Sequence, residues 1–103
     1  MQRQRDDGGV EIAVDGELDL TTAAQLRDAL FAAIDGQRSV WLDLSTCSFI
    51  DSTGLRVIIE GARMLAQDYE RLGISGLRDQ PKQMFELTMI SRSDLLRFER
   101  EPA

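Results

Sequence analysis

The stretch Val40 to Leu65, VWLDLSTCSFIDSTGLRVIIEGARML, limits the possible folds more than any other part of this chain. It joins a short apolar run to a longer one of different period. Val40, Trp41, Leu42 and Leu44 are rich in strand formers and are followed by Ser45, Thr46 and Ser48, which predicts a buried strand leading into a polar connection. Phe49 and Ile50 then re-anchor the chain. From Leu55 the apolar positions Leu55, Ile58, Ile59, Ala62, Leu65 and Ala66 recur at helical spacing, so one face of this helix packs and the other stays wet. The helix opens at Asp51-Ser52-Thr53-Gly54. Ser52 thereby stands where the first backbone N–H groups of a helix lack internal partners, a position that favours a hydroxyl or an anion. Asp51 or Ser52 can cap the helix, and Gly54 lets another backbone approach closely. An isolated Asp-Ser-Thr-Gly is most often a capping sequence and nothing more.

Ahead of this stretch, Val10, Ile12 and Val14 alternate with Glu11, Ala13 and Asp15, predicting a strand with one buried face. Gly16 marks a turn or bulge, and Leu18 and Leu20 keep the chain near the core. Thr22 with Gln25 reads as a capping box, opening a helix through Ala23, Leu26, Leu30, Ala33 and Ile34 that Gly36 closes. Two strand-to-helix units in succession favour parallel pairing. Beyond the second helix, Leu72, Ile74 and Leu77 form a weaker strand, because Gly73 and Gly76 interrupt it. Pro81 suits the first turn of a third helix carrying Met84, Phe85, Leu87 and Thr88. Leu95, Leu96 and Phe98 make a final strand or short edge segment before Glu99-Arg100-Glu101, and Ser91, Ser93 and Asp94 read as loop and cap residues. The alternation implies an α/β layer structure with a mixed sheet. With 103 residues, 43% of them hydrophobic, the chain supports a single domain over 1–103 with its core at about 10–98.

Composition narrows the chemistry. A net charge of −6 without a Lys/Arg cluster argues against a nucleic-acid surface. No run approaches the roughly 20 apolar residues that span a bilayer, and Met1 to Asp7 lacks the apolar segment of a secretory signal, so a cytoplasmic protein without direct membrane insertion is expected. Cys47 is alone, which excludes an internal disulfide and fits a small loop or core residue in a reducing compartment. There is no His, so Ser52 cannot belong to a Ser-His-Asp arrangement, and Asp51 is its only nearby candidate base. No paired Cys or His exists for zinc, and no phosphate-cradling loop with a Lys, since Lys82 is the only one. Asp15, Glu17, Asp19, Asp43 and Asp51 could hold a divalent cation, though a solvated acidic face is the commoner meaning of such residues. No catalytic centre, cofactor or resident metal is expected.

Taken together, Gly16-Glu17-Leu18-Asp19, the Thr22-capped helix, Asp43-Leu44, Phe49-Ile50-Asp51-Ser52-Thr53-Gly54-Leu55 and Pro81 resemble the STAS domain of anti-sigma factor antagonists, from about Val10 to Phe98. The resemblance implies an α/β, STAS-type single domain: a four- to five-stranded mixed sheet with helices packed mainly on one face. It also implies partner switching. The unphosphorylated form would bind an anti-sigma factor that is a GHKL-type serine kinase and release a sigma factor. Phosphorylation of the Ser that matches Ser52 would abolish binding, and a serine phosphatase would restore it. Asp19, Asp51, Ser52, Thr53 and Gly54 match the family's positions around the phosphorylation site. Arg56, with Glu60 and Arg63 on the exposed side of the second helix, would flank the contact. A non-switching STAS adaptor of a lipid-transport ATPase complex is the alternative, with Ser52 kept as a cap. The chain departs from the family pattern at Met89-Ile90, where Gly-Leu is common, and at Gln67-Asp68-Tyr69-Glu70, where a glycine-rich turn is usual; both bear on the C-terminal third.

Overall fold

The structure is a computed structural model that describes residues 2–6, 8–36, 39–88 and 94–98. In chain order it contains β1 (Gln2–Gln4), β2 (Val10–Ala13), β3 (Gly16–Leu18), α1 (Ala23–Asp35), β4 (Val40–Asp43), β5 (Cys47–Ile50), α2 (Ser52–Ala66), β6 (Leu72–Ser75), α3 (Asp79–Leu87) and β7 (Leu96–Phe98). A five-stranded mixed sheet runs in the order β1-β2-β4-β6-β7, with β1 antiparallel to β2 and every other pair parallel. A separate two-stranded parallel ladder joins β3 to β5. None of the helices among the described residues is long and apolar enough to cross a membrane.

Alternation along the strands sends Val10, Ile12, Val40, Leu42, Leu72, Ile74 and Leu96 into one core. That core is completed by Leu26, Leu30 and Ile34 of α1, by Leu55, Ile58, Ala62 and Leu65 of α2, and by Phe85 of α3, so all three helices bury their apolar stripes together. Pro81 lies in the first turn of α3, as its fixed φ and missing N–H favour. The glycines at the α2 seam are small for a reason. A Cβ on Gly61 would stand 2.4 Å from Leu30 Cδ2.

The helix-free face is closed differently. Register sets Arg3, Glu11, Trp41, Gly73 and Arg97 in one row across the sheet. Glu11, expected on the wet side of β2, is only 6% exposed because Arg3 donates to its Oε1 and Arg5 to its Oε2 at 2.8 Å. The Trp41 ring covers Gly73, where a Cβ would meet it at 2.2 Å, and the Arg5 and Arg97 guanidiniums lie 4.4 and 4.7 Å from the ring centroid. Glycine in β6 therefore makes room for an indole.

Several expectations change. The polar connection after β4 shrinks to Leu44–Thr46, because Cys47–Ile50 pair as β5 with β3. Gly16, at φ 77°, begins β3 at a register shift and is a bulge rather than a turn. The polar N-terminal residues contain a strand, β1, which pairs through its backbone at the sheet edge. Leu77 falls outside β6, which ends at Ser75. Past α2, Tyr69 takes the left-handed φ of 60° that a glycine usually supplies, and the Glu70 N–H donates to the Leu65 carbonyl. Met89, Ile90, Ser91 and Ser93 lie outside the described residues.

Gly61→Ala is expected to lower unfolding stability by about 1–3 kcal/mol, since Leu30 is fully buried and has no room to retreat. Urea denaturation with an unchanged m value measures it.

Candidate functional site

The site is built where β3 and β5 end. Their register pairs Leu18 with Ile50, and the Asp51 N–H donates to the Leu18 carbonyl at 3.1 Å, so Asp19 and Leu20 emerge beside Asp51 and Ser52. Asp51 keeps an extended backbone (φ −99°, ψ −178°) while its Oδ1 accepts from the Gly54 N–H at 2.9 Å. It is the cap of α2. Ser52 is the first helical residue and is exposed, and its hydroxyl makes no hydrogen bond among the described residues. Thr53 is half-buried behind it, and Arg56 is exposed one turn further on.

Gly54 seats the helix. A Cβ there would lie 2.6 Å from Leu18 Cγ and 2.7 Å from the Leu18 carbonyl oxygen, so the first turn of α2 rests directly on the end of β3. The close backbone approach expected of Gly54 is to Leu18.

Asp19 has work within its own loop. Its Oδ1 accepts from the Thr21 hydroxyl at 2.7 Å and the Thr21 N–H at 3.0 Å, with the Thr22 N–H at 3.2 Å. The Thr21 hydroxyl bond is the main reason the carboxyl is held below its ordinary range; desolvation opposes it, and the Thr21 and Thr22 N–H groups and the Thr22 hydroxyl add to the lowering. The Thr22–Gln25 capping box does not form. Thr22 Oγ1 instead donates to the Glu17 carbonyl at 2.8 Å and accepts the Asp19 N–H at 2.9 Å, so Asp19 and Thr22 together tie off the start of α1.

Two apolar residues change sides. Leu20 and Phe49, expected to hold the chain to the core, are 75% and 41% exposed. Phe49 sits opposite Glu17 in the ladder and shares its outward face, whereas Ile50 is fully buried. The contiguous apolar pair Phe49-Ile50 carries no period, so only the pairing partner reveals which residue faces out. Leu20, Phe49, Ser52 and Arg56 are all exposed, and each lies on β5, just past the end of β3, or in the first turns of α2.

The other candidates separate. Glu60 binds Arg27 of α1 at 2.5 Å and joins the two helices, while Arg63 is exposed. Asp43 accepts from the Ser45 N–H, Asp15 from the Thr46 hydroxyl, and among the described residues no three His, Cys, Asp or Glu side chains are grouped to hold a metal ion. Cys47 is buried, and that burial pushes its thiol up in pKa.

Residues 1–97 match the family model described as Mlab, STAS domain. An anti-sigma-B factor antagonist of Staphylococcus aureus (strain NCTC 8325 / PS 47) is 35% identical over 79 residues, covering 76% of this chain and 73% of that protein. An anti-sigma-B factor antagonist of Listeria monocytogenes is 34% identical over 90 residues, covering 86% and 79%. The crystal structure of an anti-sigma factor antagonist from Mycobacterium paratuberculosis shares the fold at a TM-score of 0.83 and 24% identity, over 93% of this chain and 81% of that one. The anti-sigma factor antagonist SpoIIAA in its unphosphorylated form does so at 0.69 and 21% identity, over 89% and 94%.

Because the folded Asp19 carboxyl titrates below its ordinary value of 3.8, its stabilising contribution is present above that pH and is lost as pH falls through the lower folded value. Asp19→Asn should therefore show a shallower fall in thermal midpoint than wild type below about pH 4. Melting curves between neutral and acid pH check the difference.

Proposed function

This chain belongs to the STAS domain family, and on that premise we propose that it is an anti-sigma factor antagonist whose binding is switched by phosphorylation of Ser52. The observation that carries the reading is the division of labour at the helix mouth. Asp51 makes the capping bond to Gly54, so the exposed Ser52 hydroxyl is not consumed by the fold. A serine kept only as a cap, as the adaptor reading requires, has no capping left to do. A hydrolytic role for Ser52 is disfavoured, since the chain has no His and Asp51, the one nearby candidate base, is engaged as the cap of α2.

The unphosphorylated protein offers Leu20 and Phe49 as apolar anchors, with Asp19, Asp51, Ser52, Thr53, Gly54 and Arg56 around them, to an anti-sigma factor that is a GHKL-type serine kinase. Docking frees a sigma factor in the cytoplasm. The kinase then transfers the γ-phosphoryl group of ATP to the Ser52 oxygen, breaking the bond to the β-phosphate and releasing ADP and the hydroxyl proton, and a serine phosphatase hydrolyses the ester to inorganic phosphate. The chain performs no catalysis of its own. A phosphate adds about −1.5 to −2 charges, which the N-terminus of α2 tolerates but a close-packed partner does not. A penalty of about 3 kcal/mol weakens binding roughly a hundredfold.

Affinity capture from native-host lysate with wild-type and Ser52→Asp baits tests this. Wild type is expected to retain a GHKL-type kinase that Ser52→Asp loses, and Ser52→Ala to retain it constitutively. Equal capture of a transporter ATPase by all three baits would replace the switch with the standing adaptor. Leu20→Ala and Phe49→Ala should each cost about 1–2 kcal/mol of binding by calorimetric titration against the captured kinase. Their thermal midpoints should stay near wild type, because both side chains are already exposed.

A further inference from the structure

Gln80, in the first turn of α3, meets the backbone of Ile50 twice. The Ile50 N–H donates to Gln80 Oε1 at 2.8 Å, and Gln80 Nε2 donates to the Ile50 carbonyl at 3.0 Å. β5 has β3 along its other edge, where the Asp51 N–H reaches the Leu18 carbonyl. A side-chain amide thus substitutes, at one residue, for the peptide of a neighbouring strand. The peptide unit joining Ile50 to Asp51 is consequently held from both sides: its carbonyl by Gln80 of α3 and its N–H by Leu18 of β3. It is the last peptide before the cap of α2 and the exposed Ser52.

The approach to α3 is shaped for this grip. Gly76 has a φ of 70° and Asp79 a φ of 56°, the latter a left-handed conformation that Asp tolerates better than most side chains. Beyond Gln80, Pro81 and Phe85 are buried and fix the helix against β5. The turn before α3 and the buried residues after Gln80 both serve to aim its amide at Ile50.

Resting on the reading of Ser52 as the phosphoacceptor, we infer that Gln80 is a positioning residue for phosphoryl transfer to Ser52. It does not touch the hydroxyl. It fixes the peptide from which Asp51 and Ser52 project, and so sets the angle of the hydroxyl relative to the docking residues Leu20 and Phe49. Ile50 is fully buried, so water does not readily replace the amide if it is removed. Docking is anchored by the Leu20 and Phe49 side chains, whereas the Gln80 amide bonds the Ile50 backbone, and transfer depends on the orientation of the attacking oxygen. Loss of the amide therefore falls on the rate of transfer and spares recognition.

Gln80→Leu removes both bonds at similar length, and Gln80→Glu keeps the acceptor while facing the Ile50 carbonyl with an oxygen. Amide exchange by NMR and steady-state phosphorylation with ATP and the kinase captured by wild type test the two together. Gln80→Leu should exchange the Ile50 amide about tenfold faster than wild type, with the amides of α1 unchanged, whereas Gln80→Glu keeps the oxygen that the Ile50 N–H reaches and loses only the bond to the Ile50 carbonyl. Their kcat should fall about tenfold while KM stays within about twofold, the reverse of Leu20→Ala, in which KM rises. Unchanged Ile50 exchange in Gln80→Leu, unchanged kcat in both variants, or a uniform rise in exchange across the chain would each overturn the proposal. If the captured kinase does not phosphorylate wild-type Ser52, the phosphoacceptor reading fails and the positioning role with it; faster Ile50 exchange in that case marks a strand clamp only.

Discussion

The contact between Gly54 and Leu18 sets the geometry on which the rest of the site depends. With no side chain at Gly54, the first turn of α2 comes to rest on the Leu18 carbonyl, and the same carbonyl accepts the Asp51 N–H. A larger residue would have to displace backbone rather than a flexible side chain, so the seat cannot be widened without moving β3. Everything functional hangs on that junction. Asp19 and Leu20 leave β3 there, Phe49 reaches it along β5, and Asp51 turns from strand to helix on it. One helix start, one strand end and one exposed hydroxyl are thus fixed relative to each other by backbone, the least deformable part of the chain.

Much of this was legible in the sequence because it is local. The strand at Val40–Asp43, the helical spacing from Leu55 to Leu65 and the position of Ser52 at a helix mouth follow from period and capping chemistry over a few residues. What escaped is non-local. Cys47-Ser48-Phe49-Ile50 looks like the end of a loop, and becomes a strand only because Gly16–Leu18, some thirty residues earlier, lies alongside it. Gln2-Arg3-Gln4 has no apolar pattern at all, yet it pairs with β2 and its Arg3 helps to bury Glu11. Leu20 and Phe49 have the apolar character of core residues, but the ladder's pleat turns Phe49 outward and Leu20 lies past the end of β3. The Thr22–Gln25 box had the right spacing but lost to Asp19, whose carboxylate gathers the donors at the start of α1 first.

The two faces of the sheet divide the protein's tasks. On the helix side, aliphatic residues of all three helices supply the hydrophobic burial that holds the domain together. The opposite side is sealed by charge, with Glu11 between Arg3 and Arg5 and Trp41 between Arg5 and Arg97. Removing either arginine of the Glu11 group would leave a buried carboxylate short of a donor, which is why such pairs act more as constraints on structure than as net sources of stability. The face of the sheet away from the helices is thereby covered by a row of paired charges and an indole.

A switch at Ser52 has to change binding while leaving the fold alone, and the magnitudes at the helix mouth allow that. A phosphate beside Asp51 meets a like charge at the surface, where solvent and salt reduce the repulsion to about 1 kcal/mol. The same phosphate gains about 0.3–1 kcal/mol from the N-terminus of α2, whose foremost N–H groups Asp51 does not use. The two effects nearly cancel in the free protein. Against a docked partner neither water nor mobile ions reach the group, the repulsion is no longer screened, and the helix end was already available to the unphosphorylated form. The switch proposed at Ser52 would therefore draw its energy from the exclusion of solvent at the interface, and the exposed Ser52 hydroxyl meets that requirement.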